Sequence, residues 1–453
     1  MKPYSFVIIF LAVVCFSYAQ AQEEKDPFHI MSQKALDKLD KVEAVSFERT
    51  NHPNAQWFPE AGFGLFMHWG IHSVAGIQPS WSMIKDYPYG TDKTEYHGEG
   101  YYTLLEKFNP QNYDPDKWIE AAAKAGMTYA VITVKHHDGY ALWPSEFGKM
   151  STKQYMDGRD LIRPYIDACR KYGLKVGLYF SPRDWGYSGY PVSLEHKVPY
   201  IHPPGIDNTR NQRNFNRFYN YTVGQLSEIL TRWGKIDLLW FDGMGWLGIN
   251  DIRTEETLAW VRLLQPHIVI NNRWGGEGDY ITPEWQLPVK APEGWWENCI
   301  SWSGHWGYSP DTPVEPNSWV MKKLVEVRSW GGNFLLNIGP APDGTMRPEY
   351  YERTDELARW MAHSRESLIG AEPVKEWKKF SNVPITQREN LWYVHVLPDH
   401  DGEITILDVP KPSKVQLLRT KTPLTFSCEG RKITLTLPDT LRTDLNDVIE
   451  IHW

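Results

Sequence analysis

The sequence predicts an α/β protein, a (β/α)8-like TIM barrel followed by a C-terminal β-sandwich domain. Three observations carry this. Strand-like and helix-like segments alternate through the first two-thirds of the chain, which implies a parallel sheet. The strands there are apolar on both faces, as strands are when helices cover them. Beyond Leu368 the pattern changes to short runs of alternating polarity separated by turn residues, the signature of an antiparallel sandwich.

The elements follow in order. Residues 63–69 (FGLFMHW) read as the first strand. Residues 114–126 read as a helix, with Pro115 in its first turn and Gly126 at its end. Strands are expected at 127–135 (MTYAVITVK), 174–181 (LKVGLYFS), 235–242 (KIDLLWFD), 267–273 (HIVINNR) and 333–338 (NFLLNI). Helices are expected at 160–173, 213–233, 255–264, 319–330 and 350–368. This many units in about 340 residues fit a barrel with some helices irregular or missing. The Pro- and Gly-rich stretch 187–209 reads as a loop over the barrel mouth. Short strands are then expected at 391–397, 403–407, 414–418, 432–437 and 448–453. The domains are accordingly 22–368 for the barrel and 369–453 for the sandwich.

Residues 1–21 read as a cleavable export signal. Lys2 supplies a positive start, residues 7–14 are apolar, and Ala19-Gln20-Ala21 forms a small-residue cleavage site. The apolar run is shorter than the roughly 20 residues a membrane span needs. Cys15 follows Val14, a poor fit to a lipoprotein signal. A secreted or periplasmic enzyme is expected, with no membrane insertion. The formal net charge of −8 argues against a nucleic-acid partner. Cys169, Cys299 and Cys428 are too few and too scattered for a disulfide framework or a zinc motif. The 22 Trp and 24 Tyr are abundant. Their flat apolar faces with polar edges suit the C–H faces and hydroxyls of sugars, although large cores use them too.

Catalytic groups of a parallel barrel sit at the C-terminal ends of its strands. The strand ends here carry His68, then His136 and His137, then Tyr179, then Asp242, then Asn271, Asn272 and Arg273. Asp242 is the sharpest candidate, a carboxylate that ends an apolar run and meets Gly243. Asp237, at the start of that strand, reads as structural. Sugar hydrolysis needs two carboxyl groups, one a nucleophile or base and one an acid of raised pKa. Glu284 and Glu297 both qualify as partner. Each has tryptophan beside it, and apolar neighbours raise a carboxyl pKa by desolvation. His136-His137-Asp138 invites a metal reading, but adjacent strand residues point to opposite sides, so hydroxyl binding by neutral imidazoles is preferred. Asp138 reads as a turn cap and Glu146 as a solvated loop residue. There is no G-x-S-x-G elbow, P-loop or dinucleotide fingerprint.

Taken in order, these segments resemble glycoside hydrolase family 29, the retaining α-L-fucosidases. The resemblance lies in Phe63-Gly-Leu-Phe-Met-His-Trp-Gly70, Lys135-His-His-Asp-Gly-Tyr140, Leu239-Trp-Phe-Asp-Gly243, Asn272-Arg-Trp274, Gly278-Asp-Tyr-Ile-Thr-Pro-Glu284, Trp296-Glu297 and Gly332-Asn-Phe-Leu-Leu-Asn-Ile-Gly-Pro340. It implies Asp242 as nucleophile and Glu284 as acid/base, with Glu297 second because acid/base placement varies in the family. It implies His68, His136, His137, Tyr179 and Arg273 as sugar-binding residues. It further implies a fucosylated glycan substrate, no cofactor and no metal. One departure stands out. Many members carry Glu-Trp in the loop after the first strand, whereas this chain has Pro79-Ser-Trp-Ser82, keeping Trp81 and replacing the glutamate by Ser80. An α-L-galactosidase is therefore an alternative, since L-galactose adds one hydroxyl at C6. Two rivals from other classes are a non-catalytic carbohydrate-binding protein and a metal hydrolase using His68, His136, His137 and Asp242.

Overall fold

The computed structural model describes residues 27–84, 90–91, 93–187, 212–243 and 253–453. The expected export signal lies outside these residues, as does the expected mouth loop from residue 188 onward.

Eight parallel strands form one sheet: β1 (Phe63–Met67), β2 (Tyr129–Lys135), β3 (Lys175–Phe180), β4 (Leu238–Phe241), β5 (Val269–Ile270), β6 (Tyr280–Ile281), β7 (Trp295–Ser301) and β8 (Asn333–Asn337). Their order is β5-β4-β3-β2-β1-β8-β7-β6, and the pairing of β1 with β8 brings the first and last strands together. A parallel bridge between Asn271 and Tyr280 joins the two remaining edges and closes the ring.

The strands are buried on both faces because each face packs on something. Phe63, Leu65 and Met67 point outward into the cluster shared with the helices. Phe66, Tyr129, Val131, Tyr179, Leu238, Trp240, Cys299 and Leu335 fill the interior. The two-residue alternation of a strand sorts them. Burying each such side chain contributes about 1.5–3 kcal/mol before entropy is counted. Gly64 is required on β1, since a Cβ there would lie 2.4 Å from the Tyr129 ring.

The expected helices form, among them Pro115–Lys124, Ile162–Lys171, Gln212–Thr231, Thr254–Leu264, Asn317–Ser329 and Pro348–Ser364. No α-helix lies between β5 and β7, as an irregular barrel allows, so residues 271–294 are turns and loops around the two-residue strand β6. Other features differ from expectation. Strand β7 was not anticipated, because Glu297, Asn298 and Ser301 interrupt its apolar run. The helix Pro27–Leu39 is also new. It is tied to the barrel where Trp260 Nε1–H donates to the Ala35 carbonyl at 2.7 Å.

After the last helix come β9 (Glu372–Pro373), β10 (Ile385–Arg388), β11 (Leu391–Val396), β12 (Ile404–Ile406), β13 (Lys414–Leu417), β14 (Phe426–Glu429), β15 (Lys432–Leu435) and β16 (Asp447–His452). They form antiparallel sheets of five and three strands. Ile385, Val394, Ile404, Leu417, Ile433 and Ile449 make a second core. Two side chains fasten the barrel to this region. Buried Arg328 donates to the carbonyls of Gly332 (2.7 Å), Leu368 (3.0 Å) and Ala371 (2.6 Å). Trp360 Nε1–H donates to the Asn446 carbonyl at 2.6 Å. Among the described residues, no helix is long and apolar enough to cross a membrane.

Candidate active site

At the C-terminal end of the barrel the chain encloses a cavity of about 890 Å³. The residues expected from the sequence to bind or react are on its wall, except Glu297 and Asn271: His68, Trp81, His136, His137, Tyr179, Asp242, Arg273 and Glu284. Asn272 is there too. Phe66, Arg183, Trp240, Cys299 and Trp306 also line the wall and were not anticipated.

Asp242 follows β4 directly, and its backbone is positioned from the next strand. Asn271 Oδ1 accepts from Phe241 N–H and its Nδ2 donates to the Phe241 carbonyl, both at 2.9 Å. Asn271 is therefore a structural clamp rather than a ligand-binding group, which corrects the reading of its strand end. The Asp242 carboxylate accepts from Tyr179 Oη–H at 2.7 Å and from Arg273 Nη1–H at 3.0 Å. His137 Nε2 lies 3.5 Å from its Oδ2. Burial alone would push this carboxyl up. The Arg273 charge, with His137 and the Tyr179 hydrogen bond, holds it down at about 2. Asp242 is thus an anion at any working pH, as a nucleophile must be.

Arg273 carries a second carboxylate. Its Nη2–H donates to Glu284 Oε2 at 2.8 Å, while its Nε–H donates to Thr282 Oγ1 at 2.7 Å. Glu284 is fixed by backbone pairing with β7, where Cys299 N–H donates to the Pro283 carbonyl (3.1 Å) and Trp285 N–H to the Cys299 carbonyl (3.0 Å). Its side chain is 35 % exposed. Its surroundings are therefore water and a guanidinium, not the apolar enclosure that adjacent Trp285 suggested. One guanidinium thus spans both carboxylates at the mouth.

Glu297 lies elsewhere. It is fully buried in the barrel interior, with Tyr129 Oη–H donating to Oε2 at 2.6 Å and Trp240 Nε1–H to Oε1 at 2.9 Å. It faces no part of the cavity.

Three imidazoles line one wall. Burial pushes His68 down to about 4 and His137 down to about 3, and drives His136 well below its ordinary value. All three are neutral near pH 7. A neutral imidazole both accepts and donates, which suits hydroxyl groups. Each is oriented from behind. His68 Nδ1 pairs with Asn337 Oδ1 at 2.7 Å, His137 Nδ1 with Ser181 Oγ at 2.6 Å, and His136 Nδ1 with Ser80 Oγ at 2.6 Å. Ser80 itself is buried and adopts φ +57°, a strained value for a residue with a Cβ. Its Oγ also accepts from Asp138 N–H at 2.8 Å. Asp138 caps its turn through Tyr140 N–H at 2.9 Å, as expected, and additionally accepts from Tyr101 Oη–H at 2.9 Å. Glu146 ion-pairs with Lys153 and is not on the cavity wall.

The alternation argument against a shared cation needs correction. His136, His137 and Asp242 each bring a donor atom within 4.8 Å of the others. Both histidines lie past β2, beyond a register shift between Thr133 and Lys135, where two-residue alternation no longer holds. The donor types would suit a transition metal. However, Tyr179 and Arg273 already engage Asp242, and a guanidinium at 3.0 Å opposes a second cation beside it.

A parallel barrel whose mouth holds an ionised aspartate, a glutamate bridged to it by arginine, neutral imidazoles and aromatic faces defines a glycoside hydrolase. Comparison with known proteins agrees. The family described as Alpha-L-fucosidase matches residues 30–366. Alpha-L-fucosidase isoenzyme 1 from Paenibacillus thiaminolyticus is 31 % identical, with a TM-score of 0.77 over 88 % of this chain and 98 % of that one. Tissue alpha-L-fucosidase of Bos taurus is 28 % identical over 86 % of this chain and 85 % of its own. The crystal structure of Thermotoga maritima alpha-fucosidase is 26 % identical, with a TM-score of 0.72 over 88 % of this chain and 97 % of that one. The chain belongs to the alpha-L-fucosidase family, glycoside hydrolase family 29.

Proposed function

We propose that this protein hydrolyses terminal α-L-fucosyl residues of glycans with retention of configuration, using Asp242 as nucleophile and Glu284 as acid/base. The observation that carries this is the Arg273 bridge, in which one guanidinium holds an ionised aspartate and a glutamate on the wall of one cavity. An Asp242 oxygen bonds to the anomeric carbon as the glycosidic C–O bond breaks. The Glu284 proton passes to the leaving oxygen. Water then bonds to the anomeric carbon, its proton returns to Glu284, and the Asp242 carboxylate is released. His68, His136 and His137 hold the sugar hydroxyls, and Trp81 and Trp306 offer apolar faces to its C–H surface.

The α-L-galactosidase alternative rests on Ser80. That residue is buried behind His136 and forms no part of the cavity wall, so nothing of it meets a C6 substituent. Export is supported by sequence alone, through the features of residues 1–21. The N-terminal sequence of protein recovered outside the cytoplasm tests it, with a start near Gln22 expected.

The assignment is tested by turnover of paired aryl α-L-fucosides and α-L-galactosides. Wild type should prefer the fucoside and release the α-anomer first, as followed by NMR. Asp242→Asn should lose turnover. Glu284→Ala should lose turnover chiefly on poor leaving groups, and azide should rescue it. Release of the β-anomer first would overturn the retaining mechanism.

A further inference from the structure

Beneath the floor of the cavity lies a carboxyl with no part in the steps above. Glu297 points inward from β7, and both of its oxygens are taken, by Tyr129 and by Trp240. Trp240 is that floor. Its indole lies against the Tyr179 ring, with centroids 5.4 Å apart and planes at 17°. The Arg273 guanidinium sits 4.5 Å above it. Tyr179 and Arg273 are the two groups that donate hydrogen bonds to Asp242. A single ring thus supports both partners of the nucleophile, and the one polar atom of that ring is tied to Glu297. Phe66 packs on the same indole at 5.2 Å, but it contributes no directional bond.

We propose that Glu297 is a positioning residue that acts through Trp240. It locks the indole in the plane on which Tyr179 and Arg273 rest, and so fixes the Asp242 carboxylate for attack. The inference rests on the assignment of Asp242 as nucleophile. It gives Glu297 no proton transfer to substrate, because Trp240 stands between it and the cavity. Displacing a reacting group by about 1 Å can cost 100-fold in rate, so a rigid floor has kinetic value.

The surroundings of Glu297 add a pH dependence. Burial pushes its carboxyl up to about 7, against the pull of the Tyr129 and Trp240 hydrogen bonds and of the Arg273 charge. Tyr280 on β6 and Cys299 on β7 also face it, and both are neutral near pH 7, their own groups raised by burial. As Glu297 ionises, its bond from the Trp240 N–H becomes charge-assisted and about twice as strong. Part of kcat/KM should therefore rise through pH 7.

The test is kcat/KM against pH for wild type, Glu297→Gln, Trp240→Phe and the double variant, on aryl α-L-fucosides with good and poor leaving groups. Glutamine mimics the protonated carboxyl: its Oε1 accepts from the Trp240 N–H and its amide N–H donates to Tyr129 Oη, with no charge. It should remove the component near pH 7 while leaving the rest of the profile in place. Trp240→Phe should lower kcat by roughly 10- to 100-fold, equally for both leaving groups. The double variant should be no worse than Trp240→Phe. A wild-type profile in Glu297→Gln would overturn the proposal, as would additive losses in the double variant. A Glu297→Gln loss confined to poor leaving groups and rescued by azide would make Glu297 the acid/base and overturn it as well. If Glu297→Gln does not fold, leaving-group selectivity in Trp240→Phe decides: an equal loss supports the proposal and a selective one sinks it. Failure of the underlying reading is separate, since Asp242→Asn would then retain turnover.

Discussion

The barrel mouth and the barrel interior each hold a carboxyl that burial pushes upward, and the two nevertheless end at opposite extremes. Asp242 at the mouth sits at about 2, and Glu297 in the interior at about 7. Depth does not separate them, because burial pushes both upward. What differs is the company. Asp242 has a guanidinium in direct contact at 3.0 Å, whereas Glu297 has only neutral donors bonded to it, a phenol and an indole. Hydrogen bonds soften the cost of burying a charge, and only a bonded counter-charge reverses it. The fold thereby keeps one carboxylate permanently reactive and the other poised near neutrality.

The largest effect expected from breaking this contrast is chemical. Asp242→Asn removes the proposed nucleophile and should lower kcat on an aryl α-L-fucoside by on the order of 10⁴-fold. Next comes the counter-charge. Arg273→Met should cost on the order of 100-fold in kcat/KM. With only His137, Arg183 and the Tyr179 hydrogen bond left to offset burial, the Asp242 carboxyl rises from about 2, and the acid limb of the pH–rate profile should move to higher pH. An unmoved acid limb would show that Arg273 does not set the Asp242 charge.

The third prediction concerns stability. The Glu297 carboxyl is raised in the folded state, so the folded protein holds a proton that the unfolded chain releases. Its contribution is full below the unfolded value of about 4.5 and is lost as pH rises through about 7. The change is of order 3 kcal/mol. Glu297→Gln should flatten that slope, so that variant and wild type differ more in melting temperature at pH 8 than at pH 5, with the variant gaining at pH 8. The smallest effect belongs to Ser80→Ala. Loss of the buried hydrogen bonds from Ser80 Oγ to His136 and Asp138 should raise KM by a few-fold, about 1 kcal/mol, with kcat little changed. A fall in kcat alone would instead place His136 among the groups that bind only the transition state.

Much of this site is legible in the sequence, for a geometric reason. Asp242, His68 and Arg273 each follow an apolar run whose end marks the barrel mouth. Trp240 was equally legible, since it shares a face with Asp242 two residues on, but its apolar character concealed its role as a floor. The orientation of His136 and His137 was not legible, because a register shift is a property of two strands and not of one. Strand β7 escaped because its inward face is polar, which only an interior already lined by Tyr129 and Trp240 can satisfy. Glu284 and Glu297 look alike in sequence, each with tryptophan beside it. They were separable only when one was found on a guanidinium and the other under an indole.

The helix-free arc between β5 and β7 has an evolutionary consequence. Asp242 ends a strand locked on both sides, so any insertion there would unseat its neighbours. Glu284 rides on a stretch that no helix of its own packs down, and such a stretch can lengthen or shorten at small cost. On the proposed roles, the acid/base rides on a stretch that tolerates a change of length and the nucleophile on one that does not. The two carboxyls that one guanidinium joins thus stand on parts of the chain with unequal freedom to change.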